Sequence, residues 1–296
     1  MRTGIVAAGM LFVLIVLTGC MGHQTFSSSY SVDSNGILSV SCAPVTTSEE
    51  MLFKNETYTK TRIVLHTQTG DVVTYLSTPQ NPKAAIVYIP GAGEKPAGHE
   101  ERMATYAAAD YAFFFVDIRG NGGQTPGYPF NPQLDFSLFE NGSWPQYYLT
   151  VCDIVASQQI LSERFSVPVY AMGSSNGGRY AAVAAGVDPD FAGYVGISTS
   201  DWGILDSAIQ QGYTGNPIRF AASIEPGTYF AKISPRPVWI FHSVNDPVIP
   251  FEDGKQLFER AAEPKTFIEF SGDHGINSDV DERILMQWAQ IYGTRE

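Results

Sequence analysis

The sequence predicts an α/β fold, with a mostly parallel central sheet and helices on both of its faces. Three observations predict it. Short, continuous apolar runs recur along the chain, as strands buried on both faces require: "AAIVYIP" (84–90), "AFFFVDI" (112–118), "VPVYAM" (167–172), "FAGYVGIST" (191–199), "RPVWIFHS" (236–243) and "KTFIEFS" (265–271). Segments of helical composition alternate with them, at 99–111, 146–165, 177–187, 252–263 and 279–293, which is the pattern of βαβ units. Glycine-rich or polar junctions follow the strands, where ligands gather in such sheets.

Ahead of these units, "TYTKTRIVLHT" and "DVVTYLST" flank Gln68-Thr69-Gly70 and read as an N-terminal β-hairpin. Two long connections, 119–145 and 201–233, break the alternation. Excursions of that length in a compact domain are often functional, for example as lids. The chain has 296 residues, 44% of them hydrophobic, which suffices for a sizeable core. With 18 Lys and Arg against 30 Asp and Glu, its net charge of −12 repels phosphate backbones, and no basic cluster offsets it, so nucleic acid is excluded as a partner.

The first residues, "MRTGIVAAGMLFVLIVLTGC", read as a secretory signal: a basic Arg2, an apolar stretch and then small residues. Leu17-Thr18-Gly19-Cys20 resembles the lipobox of prokaryotic lipoproteins. The resemblance implies a signal peptide over 1–19, cleavage before Cys20, a lipid on its sulfur, and a protein held to a membrane in the cell envelope, outside the cytoplasm. The serine-rich segment that follows reads as a flexible tether, drawn over 20–55, before a domain over 56–296. Cys42 and Cys152 either pair, as export permits, or leave Cys152 as a small buried hydrophobe. No Cys/His spacing suggests a metal site.

The chemistry is concentrated at "GSSNGG" (173–178), between a predicted strand and a predicted helix. Gly-x-Ser-x-Gly in that setting forms a nucleophile elbow, a sharp turn that holds Ser175 in a strained pose above the sheet edge. A serine hydroxyl needs a base. Of the five histidines, His23 falls in the tether, His66 in the early hairpin, His99 at a helix start expected on the surface, and His242 inside a strand. His274, in a glycine-flanked loop after the last strand, is the candidate base. Asp246, in "NDPVIP" just past a strand, is the candidate acid that orients it, ahead of Asp201, Asp273 and Asp279. The oxyanion needs donors: the N–H of Asn176 after the nucleophile, and that of Ala92 in "PGAGEKP", with Gly93 as near rival. Trp144 and Trp202, in or beside the long connections, are candidate walls of a substrate pocket, or simply pack the lid.

Gly91-Ala92-Gly93, "DIRGNGG" (117–123), "GSSNGG", "NDPVIP" and "GDHG" occur in an order that resembles the α/β-hydrolases, in the style of dienelactone-hydrolase-like and prolyl-oligopeptidase-like members, over about 57–292. The resemblance implies hydrolysis of a small-molecule ester or amide through an acyl-enzyme on Ser175, with no metal or organic cofactor, and a scaffold role for Asp117 and Arg119. Pro90 departs from the histidine common before the oxyanion glycine. A serine nucleophile argues against dienelactone as substrate, and the lack of a propeller disfavours peptidase activity. The reading is a carboxylic ester hydrolase. A serine peptidase or amidase with the same triad, and a non-catalytic binding lipoprotein, stay open.

Overall fold

The structure is a computed structural model that describes residues 28–293. The expected signal peptide, Cys20 and His23 lie outside these residues. A two-stranded antiparallel sheet, β1 (Ser29–Val32) and β2 (Leu38–Ser41), comes first. A nine-stranded sheet follows, built from β3 (Thr46–Lys54), β4 (Thr59–Thr67), β5 (Gly70–Thr78), β6 (Ala84–Ile89), β7 (Tyr111–Val116), β8 (Val169–Ser174), β9 (Gly193–Ile197), β10 (Val238–Ser243) and β11 (Lys265–Phe270). Its order is β11-β10-β9-β8-β6-β7-β5-β4-β3. The strands from β6 to β11 run parallel, and β5, β4 and β3 join antiparallel beyond β7.

β6 to β10 are buried along their whole length, as their unbroken apolar runs require. The helices are α1 (Glu100–Ala108), α2 (Pro132–Glu140), α3 (Gln146–Phe165), α4 (Asn176–Val187), α5 (Ile204–Gln210), α6 (Asn216–Ile224), α7 (Phe230–Ile233), α8 (Phe251–Glu259) and α9 (Ser278–Tyr292). Two hydrophobic clusters, one on each face of the sheet, make the core. One holds Tyr147, Val151 and Tyr180 from α3 and α4; the other holds Met103, Tyr106, Ile284 and Trp288 from α1 and α9. The long connections carry α2 and α5 to α7. Among the described residues no helix is long and apolar enough to cross a membrane.

The N-terminal segment departs from the expected tether. From Ser29 it is structured, and β3 is an edge strand of the main sheet rather than part of a linker. Val32 and Leu38 are buried, the Leu38 N–H donates to the Tyr229 hydroxyl at 3.0 Å, and the Tyr30 hydroxyl donates to the Ser143 carbonyl at 2.9 Å. A few apolar anchors docked on distant elements outweigh a polar, serine-rich composition. Cys42, just past β2, is disulfide-bonded to Cys152 of α3. Cys152 is half-buried and paired, where α3 meets the N-terminal hairpin, so the reading of it as a free buried hydrophobe does not hold.

The bridge spans a sequence separation of 110 residues. In the chain-entropy picture a loop of that size stabilises by about 4–5 kcal/mol. Cys42→Ser, or reduction of the protein, is expected to lower the thermal midpoint by about 5–15 °C. Thermal unfolding with and without reductant measures it, and identical curves would remove the bridge as a stabilising element.

Candidate active site

β8 ends at Ser174 and α4 begins at Asn176, so the whole change of direction falls on Ser175, at φ 53° and ψ −121°. A side chain at such positive φ is strained by about 1–3 kcal/mol and persists only where neighbours impose it. They do so here. The Ser175 N–H donates to the Ile197 carbonyl at 2.8 Å, while the Ser175 carbonyl accepts from Gly178 N–H at 3.0 Å and from the Thr199 hydroxyl at 2.9 Å. The flanking glycines are there for space. A Cβ on Gly173 would lie 2.6 Å from the Gly178 nitrogen, and one on Gly177 would lie 2.5 Å from the Pro90 carbonyl oxygen and collide with that of Ile89.

That last contact shows what lies beside the bend. β6 and β8 are neighbours in the sheet, with Ile89 paired to Gly173, so the turn after β6 abuts the Ser175 bend. Three of its four N–H groups are already used, that of Glu94 by the Gly91 carbonyl at 3.2 Å. Gly91 N–H donates to Glu94 Oε2 at 2.8 Å, and Gly93 N–H to Asn121 Oδ1 at 2.8 Å. The N–H groups of Ala92 and Asn176 donate to no acceptor among the described residues. Of the two candidates in the turn, Ala92 is therefore the one free to serve an oxyanion, and Gly93 is not.

β10 and β11 are also neighbours, and the loops leaving them bring Asp246 and His274 together. His274 Nδ1 lies 2.9 and 2.8 Å from the two Asp246 oxygens. A carboxylate only accepts, so Nδ1 carries the proton and Nε2 is left as the ring's free acceptor. Asp246 Oδ1 also accepts the N–H groups of Val248 at 2.8 Å and Ile249 at 2.9 Å. Burial alone would raise the Asp246 pKa. The Ile249 N–H, His274 and the Val248 N–H outweigh it and hold the carboxyl below its ordinary value. The loop of His274 folds back over the strand ends: a Cβ on Gly275 would lie 3.4 Å from Ser174 Oγ. The Ser175 hydroxyl itself has no hydrogen-bond partner among the described residues, His274 Nε2 included. Catalytic hydrogen bonds of this kind often tighten only around substrate.

Residues 80–213 match the model of the serine aminopeptidase S33 family. The chain is similar to the uncharacterized protein YfhR of Salmonella typhi, with 25% identity over 213 residues, 69% of this chain and 68% of that protein. Its structure is similar to acetyl xylan esterase 1 from Thermoanaerobacterium sp. JW/SL YS485, with a TM-score of 0.69 at 14% identity, covering 84% of this chain and 89% of that one. An acetyl xylan esterase from Paenibacillus sp. R4 gives 0.68 at 16% identity, over 84% and 90%. The chain is an α/β-hydrolase by fold.

Within that α/β-hydrolase frame the remaining candidates take other places. His99, expected on the surface, is buried between Tyr88, Phe115 and Glu94. His66 sits between Asp71 and Ser48 in the β4–β5 hairpin. His242 is buried next to the Asp246 carboxylate, its Nε2 3.1 Å from the Ile249 carbonyl. Asp279 pairs with Arg283, and Asp201 with Arg260 and the Gly227 N–H. Arg119 forks onto Asp153 and reaches Thr69 and Thr67, and Asp117 accepts from Gln124 and Thr125 N–H.

The two tryptophans do not form one wall. Trp202 has Phe130 stacked at 3.9 Å and the Arg179 guanidinium at 4.3 Å, distances that two groups cannot share on one face, so both faces are covered. Trp144 packs edge-on against Tyr30 and lines a separate groove with Arg119 and Tyr128. An apolar cleft of about 520 Å³ opens instead between α2, α5 and α6, lined by Phe136, Ile204 and Phe220 among others. Sequence reasoning missed Asn121 and Glu94, the side chains that hold the turn after β6. Asn121 in the "RGNGG" segment also donates to the carbonyls of Gly91 and Glu94. The glycines around it were the available signal.

Burial pushes the His242 pKa down, and the Asp246 pKa is also depressed. The unfolded chain therefore takes up protons on both groups at higher pH than the folded chain. Stability is expected to fall as pH drops below about 6.5, through His242, and again below about 3.9, through Asp246. Urea midpoints across pH 8 to 3 test this; in His242→Asn the first decline should disappear.

Proposed function

We propose that this protein is a serine hydrolase that cleaves carboxylic esters through an acyl-enzyme on Ser175. The observation that carries the proposal is the His274–Asp246 pair at 2.8–2.9 Å, whose loop packs against the residue preceding a serine at φ 53°. His274 Nε2 takes the hydroxyl proton as Ser175 Oγ attacks the carbonyl carbon. The negative charge moves to the carbonyl oxygen, where the free N–H groups of Ala92 and Asn176 receive it. The intermediate collapses, the ester C–O bond breaks, and Nε2–H gives its proton to the departing alcohol. Water then enters and the same steps release the acid. Asp246 stabilises the imidazolium that forms in both halves.

The similarity to two acetyl xylan esterases makes a short acyl group on a carbohydrate hydroxyl the substrate class proposed for this chain. The family model, named for a serine aminopeptidase, supports amide hydrolysis as a second reading. A fluorophosphonate probe is expected to label the protein, with the label absent in Ser175→Ala. Asp246→Asn should lower kcat on p-nitrophenyl acetate by about 10³–10⁴-fold. Turnover of peptide p-nitroanilides above that of p-nitrophenyl esters would replace the esterase reading with the peptidase one. No labelling at all would leave a binding protein on a hydrolase fold.

We further propose that the chain is lipid-anchored through Cys20 outside the cytoplasm. The Cys42–Cys152 bridge, which uses two of the chain's three cysteines, supports an oxidising compartment. Metabolic labelling with an alkyne fatty acid should mark the wild type and not Cys20→Ala. Equal labelling of the two would discard the anchor.

A further inference from the structure

Glu94 belongs to neither the nucleophile bend nor the His274–Asp246 pair, yet it lies between them. Its Oε2 accepts the Gly91 N–H at 2.8 Å and closes a turn that the Glu94 N–H bond to the Gly91 carbonyl, at 3.2 Å, also defines. The same oxygen lies 3.3 Å from His99 Nε2 and 3.4 Å from the Tyr88 hydroxyl. His99 Nδ1 in turn lies 2.5 Å from an Arg102 terminal nitrogen. A guanidinium only donates, so Nδ1 accepts, and the ring proton sits on Nε2, facing Glu94. Arg102 Nε reaches both oxygens of Asp281 on α9 at 2.9 Å, and its other terminal nitrogen donates to the Ile276 carbonyl at 3.2 Å.

Ile276 is two residues past His274, in the same loop. The polar path therefore starts at the turn that carries Ala92 and ends on the loop that carries the candidate base. A second approach closes the circuit: a Cβ on Gly275 would lie 3.9 Å from Glu94 Oε1, as well as 3.4 Å from Ser174 Oγ. The members beneath the surface are well buried, with side-chain exposures of 5% for His99 and 11% for both Arg102 and Asp281. Charged groups at that depth persist only when paired on every side, and such networks hold one geometry.

We propose that Glu94, His99 and Arg102 form a polar bridge, running inward from a half-buried Glu94, that locks the oxyanion turn to the His274 loop, with Glu94 as its positioning residue. It rests on the esterase reading of the same site. Glu94 occupies the Gly91 N–H and so leaves the next one, on Ala92, as the donor available to substrate. Through His99 and Arg102 it holds that donor at a set distance from the loop of the base. Loss of the bridge leaves the serine, base and acid in place and lets the two loops drift apart. Displacements of about 1 Å in such groups cost up to ~100-fold in rate.

The test uses the full chain, with p-nitrophenyl acetate turnover, fluorophosphonate labelling rate and thermal midpoint measured together. Glu94→Ala and Arg102→Ala are each expected to lower kcat roughly 10- to 100-fold with KM within about twofold, and to slow labelling in step. Glu94→Gln, which keeps an acceptor for Gly91 N–H, should recover much of the loss. Because the two residues act through one path, the double variant should lose about as much as the worse single variant, whereas independent effects would multiply. If the alanine variants unfold, the comparison of Glu94→Gln with Arg102→Lys carries the same test: kcat near the wild-type value in Glu94→Gln and lowered in Arg102→Lys, at unchanged KM, supports the bridge. A labelled wild type with kcat unchanged in the folded variants, or multiplicative losses in the double variant, overturns the bridge alone. A wild type that takes no label overturns the esterase reading and the bridge with it.

Discussion

The structure depends on a close approach of backbones around Ser175. The end of β8, the start of α4 and the turn after β6 come so near one another that neither Gly173 nor Gly177 has room for a Cβ. That crowding, together with the Ser175 bonds to Ile197, Gly178 and Thr199, forces a serine into the left-handed region. The strain is local, and the burial of β6, β8 and β9 opposes its release: relaxing the bend would pull apart strands that are covered on both faces.

The sheet order turns this constraint into a site. β6 lies between β7 and β8, so the chain reverses its direction of travel across the sheet there, and the loops after β6 and β8 face each other across the gap. Two further loops arrive from β10 and β11. Asp246 is held by its own loop as well as by His274: burial would raise its pKa, and the Ile249 N–H, His274 and the Val248 N–H together keep it below its ordinary value. His242, buried against the same carboxylate and disfavoured as a cation, leaves the charge of Asp246 to His274.

The long connections are tied to each other and to the start of α4. Glu225 accepts the N–H groups of Trp202, Gly203 and Leu205, which ties the start of α5 to the end of α6. Trp202 is clasped between Phe130 and Arg179, and Arg179 in turn bonds Asn176 Oδ1 and Ser200. Both excursions are thereby joined to the first turn of α4. The N-terminal hairpin packs on this layer through Tyr30 and Tyr229, and the Cys42–Cys152 bond pins it to α3.

Sequence alone determined what local patterning encodes. Apolar runs such as 84–90 and 112–118 became β6 and β7, the segment 146–165 became α3 at the same bounds, and the glycine-spaced Ser175 fell between strand and helix. Those features depend on periodicity, burial and steric room within a few residues, which a chain displays openly. The contact of Asp246 with His274 was legible as well, because both stand just past strands and such strand ends share one edge. Tertiary structure decided the rest. The serine-rich start became a docked hairpin through Val32, Leu38 and Tyr30, and Cys42 met Cys152 across more than a third of the chain. His99 was buried by Tyr88 and Phe115, and Glu94 and Asn121 acquired their roles only when the turn after β6 met loops far away in sequence. The physical reason is common to all of them: a polar side chain's function is set by the partners that satisfy its hydrogen bonds, and those partners are assembled by the sheet, not by its neighbours in the chain.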